Sequence, residues 1–341
     1  MITRFIIHNI WLIDLLFLLV IPAILVIIGY LVYRTSKRTS HLVPRTSKRT
    51  SHLVPRTSKI LVIAGLLLSV IYTYGRFVGT RQLEVQRVEL SFADLPEAFD
   101  GYRLVQVSDL HVGSLPDGVL HSVVDSINAQ KPGLIIFTGD LINARSDELK
   151  PYIPELKRLK AADAVVSVVG NHDYGFYETE DVKEAYMDEG RVVNMQQDDL
   201  KWRVLLNEHR WLYSADSSRI AIAGMENDGE PPFSEERGNL GSTLRGIRRS
   251  DFVIMLEHNP DSWRGKILRH CHAQLTLSGH THGGQISLFG LSPAALRYHC
   301  YNGLYTIADR HLYVSKGVGG AIPFRLGAKP EIVVITLKKK I

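Results

Sequence analysis

Five short apolar runs in this chain each end in a cluster of Asp, His or Asn. Arg103–Val107 leads into SDLH and Leu134–Thr138 into GD. Ala164–Val169 leads into GNHD, Phe252–Leu256 into EHNP, and Leu275–Ser278 into GHTH. Near-continuous apolar runs of this length fit strands buried on both faces. Helical stretches near Val119–Gln130 and Asp147–Lys160 supply the crossovers of βαβ units. Ile220–Ala223, His311–Val314 and Glu331–Leu337 read as further strands, so a second sheet is expected. In α/β folds ligands sit outside the carboxyl ends of strands. The five polar tips are therefore expected to converge on one site.

The tips carry oxygen and imidazole donors. In D-x-H and H-x-H the outer residues of an extended chain point to the same side and can grip one ion or straddle two. Such donors suit Mn, Zn, Fe or Mg. Two cysteines, Cys271 and Cys300, are too few for a four-thiolate zinc site. They read as buried small side chains, with a disulfide open outside the cytoplasm. Glycines before Asp140, Asn171 and His280 let the backbone turn tightly. A lone histidine is ordinarily packed or on the surface. His8, His41, His52, His121, His209 and His311 are read so, and only its company raises His258 above that reading. Asp173 reads as a loop-shaping residue, Gly317–Gly320 as a turn, and Trp202, Trp211 and Trp263 as core. Arg325 reads as a substrate-phosphate contact or a surface ion pair.

SDLHVG, TGDLIN, GNHD, the single His258 and GHTHGGQ, in that order, resemble the five motifs of the calcineurin-like metallophosphoesterases over roughly residues 100–340. The resemblance implies an α/β fold, a four-layer α/β/β/α sandwich with two mixed sheets, holding two divalent metal ions. It implies Asp109, His111, Asp140 and His282 on the first ion, with Asp140 bridging. Asn171, His258 and His280 would bind the second. His172 would contact phosphate and donate a proton. Two cations lower the pKa of a bridging water, and the resulting hydroxide attacks phosphorus in line. Many relatives carry an Asp three residues after the bridging Asp to orient that histidine. Here the position is Asn143, whose amide can fix a ring tautomer but cannot stabilise imidazolium as a carboxylate does. Good leaving groups, a pyrophosphate or an activated diester, fit that departure. The rival readings are a non-catalytic membrane scaffold or receptor that keeps the fold, and a nuclease.

The front of the chain is of another kind. Leu15–Tyr33 is uncharged and long enough to cross the hydrocarbon layer. Ile60–Gly75 is a second uncharged run, continued past Arg76 to Gly79. Between them RTSKRTSHLVP occurs twice in tandem, a local duplication in a basic loop. Residues 1–80 are expected to form a membrane anchor, a transmembrane helical hairpin with spans near 10–33 and 60–79 and a loop at 34–59. Residues 81–341 are expected to form the metallophosphoesterase domain. The loop alone carries +8 while the chain totals +5 and residues 1–33 are neutral, so residues 60–341 net −3. That acidic body disfavours nucleic acid as substrate. The expected partners are the cell (inner) membrane and a phosphate-containing small molecule or lipid-linked substrate, such as a nucleotide-sugar lipid. Under the positive-inside rule the basic loop stays cytoplasmic. The catalytic domain is then extracytoplasmic if both helices span, and cytoplasmic if only the first does.

Overall fold

The structure, a computed structural model, describes residues 9–39, 53–229 and 236–340. The middle of the basic repeat, with His41 and His52, lies outside the described residues, as does His8.

The chain opens with α1 (Ile10–Leu15), which continues through a π-helical turn at Leu16–Val20 into α2 (Ile21–Thr39). That turn precedes Pro22, whose ring has no N–H with which to close an α-helical ladder. α3 (Leu53–Thr73) runs on through Tyr74–Val78 and Gly79–Arg81. Ile10–Thr35 and Lys59–Arg81 are long and apolar enough to cross a membrane. Leu19, Ile27, Ile60 and Val70 are exposed along them, an apolar surface suited to lipid. The two helices approach closely where a Cβ on Gly65 would lie 3.3 Å from Leu25 Cβ. Arg76, which interrupts the second apolar run, donates to the Asp14 carboxylate at 3.0 Å. Tyr72 donates to the same carboxylate at 2.7 Å and stacks on Phe17. Paired charges of this kind are far cheaper near lipid than a single one.

Residues 84–339 build two mixed six-stranded sheets. The first holds β1 (Glu84–Phe92), β12 (Glu331–Lys339), β2 (Arg103–Val107), β3 (Leu134–Thr138), β4 (Ala164–Val168) and β5 (Arg203–Val204), in that spatial order. The second runs β10 (Gly303–Ile307), β11 (Arg310–Val314), β9 (Leu275–Ser278), β8 (Phe252–Leu256), β7 (Arg219–Gly224), β6 (Glu208–Tyr213). Strands β2, β3 and β4 are parallel, as are β8 and β9, so their tips emerge together. Alternate residues split between two cores. Leu104, Leu134, Ile136 and Val166 meet Ile220, Ile254, Leu256 and Leu277 between the sheets. Val105, Val107, Ile135 and Phe137 face α4 (Val119–Ala129). Val253, Met255 and Leu312 face Trp263 and Ile267 on the far side. The result is the expected α/β/β/α sandwich. Cys271 and Cys300 are both buried and free, in that last layer. Trp202 and Trp263 are core, and Trp211 is half-buried against it.

The stretch at 147–160 is not one helix. Ser146–Tyr152 is a 3₁₀ turn and Ile153–Leu156 a single α turn, because Pro151 and Pro154 each remove a donor. A helix at Val182–Asn194 lies outside the stretches singled out from sequence, capped by Asp181 accepting from Lys183 and Glu184 N–H.

Replacing Asp14 with Leu leaves Arg76 without its carboxylate. Unfolding of the full chain in detergent is expected to show a loss on the order of 1–2 kcal/mol. The Asp14→Leu/Arg76→Leu double variant is expected to recover most of it, and an unrecovered double variant would count against the pairing.

Candidate active site

The tips of β2, β3, β4, β8 and β9 meet at one end of the sandwich. Beneath them Gln106 of the first sheet donates to Ser278 O of the second at 2.9 Å and to Thr138 Oγ at 3.1 Å. All seven residues expected to bind metal are brought here, and Asp109, His111, Asp140, His258 and Asn171 are buried. Two groups have donor atoms close enough to hold an ion. One is Asp109, His111, Asp140 and His282, the other Asp140, His258 and His280. Asp140 belongs to both. Its Oδ1 accepts the His172 backbone N–H at 2.9 Å. Its Oδ2 lies 3.5 Å from His111 Nε2 and 3.2 Å from His258 Nε2.

The backbone here is not extended. Asp109, His111, Asp140, His280 and His282 all have φ between 47° and 70°. The expectation of ligand pairs on one side of a strand is therefore corrected. The strands end first, and left-handed residues then fold the side chains inward, at on the order of 1 kcal/mol each. All three glycines serve close approach, a Cβ on Gly139 meeting His258 Nδ1 at 2.6 Å. A Cβ on Gly170 would sit 2.2 Å from Asp140 Oδ1, and one on Gly279 would sit 2.3 Å from Asp109 Oδ2. Gly139, with φ +95°, also meets the turn requirement.

Three of the four expected imidazole ligands are aimed by a bond on the other nitrogen. His111 Nδ1 meets Asn143 Oδ1 at 2.9 Å, and His258 Nδ1 meets Thr138 O at 2.6 Å. His280 Nε2 meets the Tyr298 hydroxyl at 3.1 Å. With those nitrogens committed, His258 Nε2 and His280 Nδ1 face each other at 3.2 Å. Two ring nitrogens so placed need a proton or a cation between them. Asn171 Nδ2 donates to the Tyr177 hydroxyl at 2.9 Å, while its buried Oδ1 lacks a hydrogen-bond partner among the described residues, as do His111 Nε2 and His282 Nδ1. Orphaned oxygen and nitrogen atoms, with Asn171 and His111 oriented from behind, fit a divalent cation.

Charge follows the same logic. Burial opposes ionisation of Asp140, but the facing His258 and His172 hold its carboxyl well below the ordinary range. Burial also pulls His258 down, yet Asp140 and Asp109 outweigh it and lift the imidazole to about 10. Burial takes His172 down to about 4. Asp173 accepts N–H from Gly170, Asp140 and Leu141, all at 2.9 Å, and so shapes the loop as expected.

Two expectations change. The Asn143 amide orients His111. His172 is held instead by the Asn143 backbone carbonyl, 2.5 Å from its Nδ1, which any residue would supply. Arg325 is neither a surface ion pair nor a free phosphate contact. It is buried and donates to the carbonyls of His282 at 3.1 Å and Lys316 at 2.8 Å, and to that of Gly319. It thereby clamps GHTH to the Gly317–Gly320 turn, whose Gly319 N–H bonds Asp109 O at 2.7 Å. Tyr177 and Tyr298 went unmarked in sequence. Tyr177 fixes the Asn171 amide and stacks on His172 with ring centroids 3.9 Å apart. A tyrosine four residues after GNHD carries no pattern of its own.

Strand tips of two packed sheets that gather Asp, His and Asn around a shared carboxylate define a metallophosphoesterase, a hydrolase of phosphoric esters. The chain belongs to the calcineurin-like phosphoesterase family, whose model matches residues 102–284. An uncharacterized metallophosphoesterase of Bacillus subtilis, YkuE, is 34% identical over 279 residues, covering 78% of this chain and 90% of that protein. A zebrafish (Danio rerio) transmembrane protein with a metallophosphoesterase domain is 29% identical over 287 residues, 82% of this chain and 62% of that protein. The UDP-2,3-diacylglucosamine pyrophosphatase LpxG of Chlamydia muridarum is 26% identical, over 76% of this chain and 92% of its own.

A cation at His258 and His280 must displace the proton held there. Loading with Mn²⁺ at neutral pH is expected to release about one proton, with affinity rising as pH climbs toward the imidazole's value. Calorimetry in buffers of different ionisation enthalpy would reveal it, and buffer-independent heats would contradict it. Tyr177→Phe is expected to weaken metal binding about 10–100-fold by freeing the Asn171 amide, read as metal retained after dialysis.

Proposed function

We propose that this chain is a membrane-anchored hydrolase of a phosphodiester or pyrophosphate bond in a lipid-linked substrate, with two divalent cations at the shared carboxylate. Residues 1–80 act as the anchor and 81–341 as the catalytic unit. The observation that carries the reading is Asp140 Oδ2, which faces His111 of one group and His258 of the other. Asp109, His111, Asp140 and His282 would hold one cation, and Asp140, Asn171, His258 and His280 the second. When bound, such cations supply an activated water and neutralise charge on phosphoryl oxygens. The chain's own residues do the rest. Asp140 keeps the floor anionic, and the backbone N–H groups of His172 and His280 hold Asp140 and Asp109 in place. His172, backed by the Asn143 carbonyl and by Tyr177, would contact a phosphoryl oxygen, and the anionic phosphate would offset the burial that keeps the free imidazole neutral, so that its Nε2 could take up and pass a proton to the leaving oxygen.

The lipid-linked class is supported by the two apolar helices and by the likeness to LpxG, a pyrophosphatase of UDP-2,3-diacylglucosamine. Asp14 and Arg76 pair across the two helices, at the end of the hairpin away from the basic loop. The loop is read as cytoplasmic and the catalytic unit as extracytoplasmic, at the inner membrane. A reporter fused to the C-terminus checks the side: external activity agrees, cytoplasmic activity reverses it.

Hydrolysis of bis-p-nitrophenyl phosphate by the Mn²⁺-loaded full chain tests the activity. Asp140→Asn is expected to abolish turnover. His172→Ala is expected to slow it about 10²–10⁴-fold, more steeply for alkoxide than for p-nitrophenolate leaving groups. A protein that retains metal yet hydrolyses neither ester would be a scaffold. Asn143→Asp is expected to leave the ratio between leaving groups unchanged, because its side chain serves His111.

A further inference from the structure

The segment that follows GHTHGGQ is a two-residue β-hairpin. Leu288 and Leu291 exchange both backbone hydrogen bonds at 2.9 Å. Phe289 and Gly290 at its tip have φ of 52° and 80°. Positive φ at both central positions is the arrangement that Asn-Gly fills at ease and a phenylalanine fills under strain. Phe289 is also wholly exposed, at 103%, beside Leu291 at 77%. Leu296, at 94%, follows on the next turn. A strained backbone under an aromatic ring that buries nothing opposes folding twice. The hairpin therefore answers to something other than the fold.

Its stem says what lies beside it. Ile286 bridges to Leu326 and Gly327. Ser287 N–H donates to Leu326 O at 2.8 Å, and the Gln285 side chain donates to Ile322 O at 2.7 Å. That same segment docks on the end of the second apolar helix. Arg325 N–H donates to Gly75 O at 2.9 Å, Phe324 stacks on Tyr72, and a Cβ on Gly79 would strike Arg325 O. The apolar tip thus hangs from the very stretch that meets the anchor where it leaves the membrane. The stem is continuous with His282, and Tyr298 beyond it bonds His280.

We infer that the Leu288–Leu291 hairpin inserts into the lipid interface next to the anchor and seats the mouth of the active site at the bilayer surface. The occupant is the acyl and headgroup boundary of the membrane itself. The inference rests on the reading of the apolar helices as membrane-spanning. It deepens the proposed substrate class, since a cleft held against lipid receives phosphate esters whose headgroups lie at that surface.

The test uses the full chain in phosphatidylcholine–phosphatidylglycerol vesicles carrying a nitroxide high on the acyl chain. An environment-sensitive fluorophore is attached at Phe289→Cys. Asp309→Cys, in the β10–β11 turn at the opposite end of the second sheet, is the control. Cys271 and Cys300 are buried and spared. The 289 probe is expected to shift to the blue and to be quenched severalfold more than the 309 probe. Equal, water-like emission at both positions overturns the inference. A blue shift at 289 without lipid quenching, growing with protein density, would mean contact between copies and overturns it as well. A Phe289→Ser/Leu291→Ser variant is expected to hydrolyse soluble bis-p-nitrophenyl phosphate as before while losing the shift of a probe at Leu288→Cys. Absence of hydrolysis in the unaltered chain would reject the enzyme and leave the hairpin result standing. The same fluorophore at Trp11→Cys, within the first apolar helix, reports separately on whether that helix is in lipid.

Discussion

One carboxylate organises this molecule. Asp140 turns a single oxygen toward imidazoles delivered by two different sheets, and its other oxygen is tied to the backbone of a third tip. For that oxygen to be shared, β3 must end at Thr138, the chain must pass through a left-handed residue, and Gly170 must stand close behind. Asp173 collects the freed N–H groups of the turn. The strain at five donor residues is offset by the packed sandwich beneath, whose intersheet core leaves the tips little room to relax.

A second constraint links that floor to the apolar helices. Arg325 holds the carbonyls of His282, Lys316 and Gly319 with its side chain, while its own backbone N–H is bound to Gly75 at the end of the anchor. The loop carrying His280 and His282 and the end of the second apolar helix are thus fastened to one residue. The apolar helices and the cleft share a mechanical junction, which fixes the sandwich relative to the helical hairpin.

Much of the fold was legible because its strands are buried on both faces. RLVQV, LIIFT and FVIML read as strands without an alignment, and the polar residues after them read as donors because nothing else explains charge at the end of an apolar run. The helix at 147–160 failed because two prolines outweigh helical spacing, and the extended geometry of D-x-H failed because the strand stops before the motif. Asn143 was assigned to the wrong ring. Spacing along the chain says that it is near both histidines, and only the fold says that its amide meets His111 while its carbonyl meets His172.

By itself, the order of residues determined which atoms are offered: an apolar hairpin with a basic loop, five buried strands, and a set of carboxylate, imidazole and amide donors in fixed succession. Those properties are local, set by hydropathy period and side-chain chemistry. What the donors aim at was decided by tertiary structure. Tyr177 behind Asn171, Tyr298 behind His280 and Arg325 behind the loops are contacts made as the chain folds back on itself, and Thr138 O behind His258 joins the two sheets across 120 positions of sequence. A hydrogen bond depends on distance and angle to tenths of an ångström, and no pattern of residue types encodes those until the cores have closed.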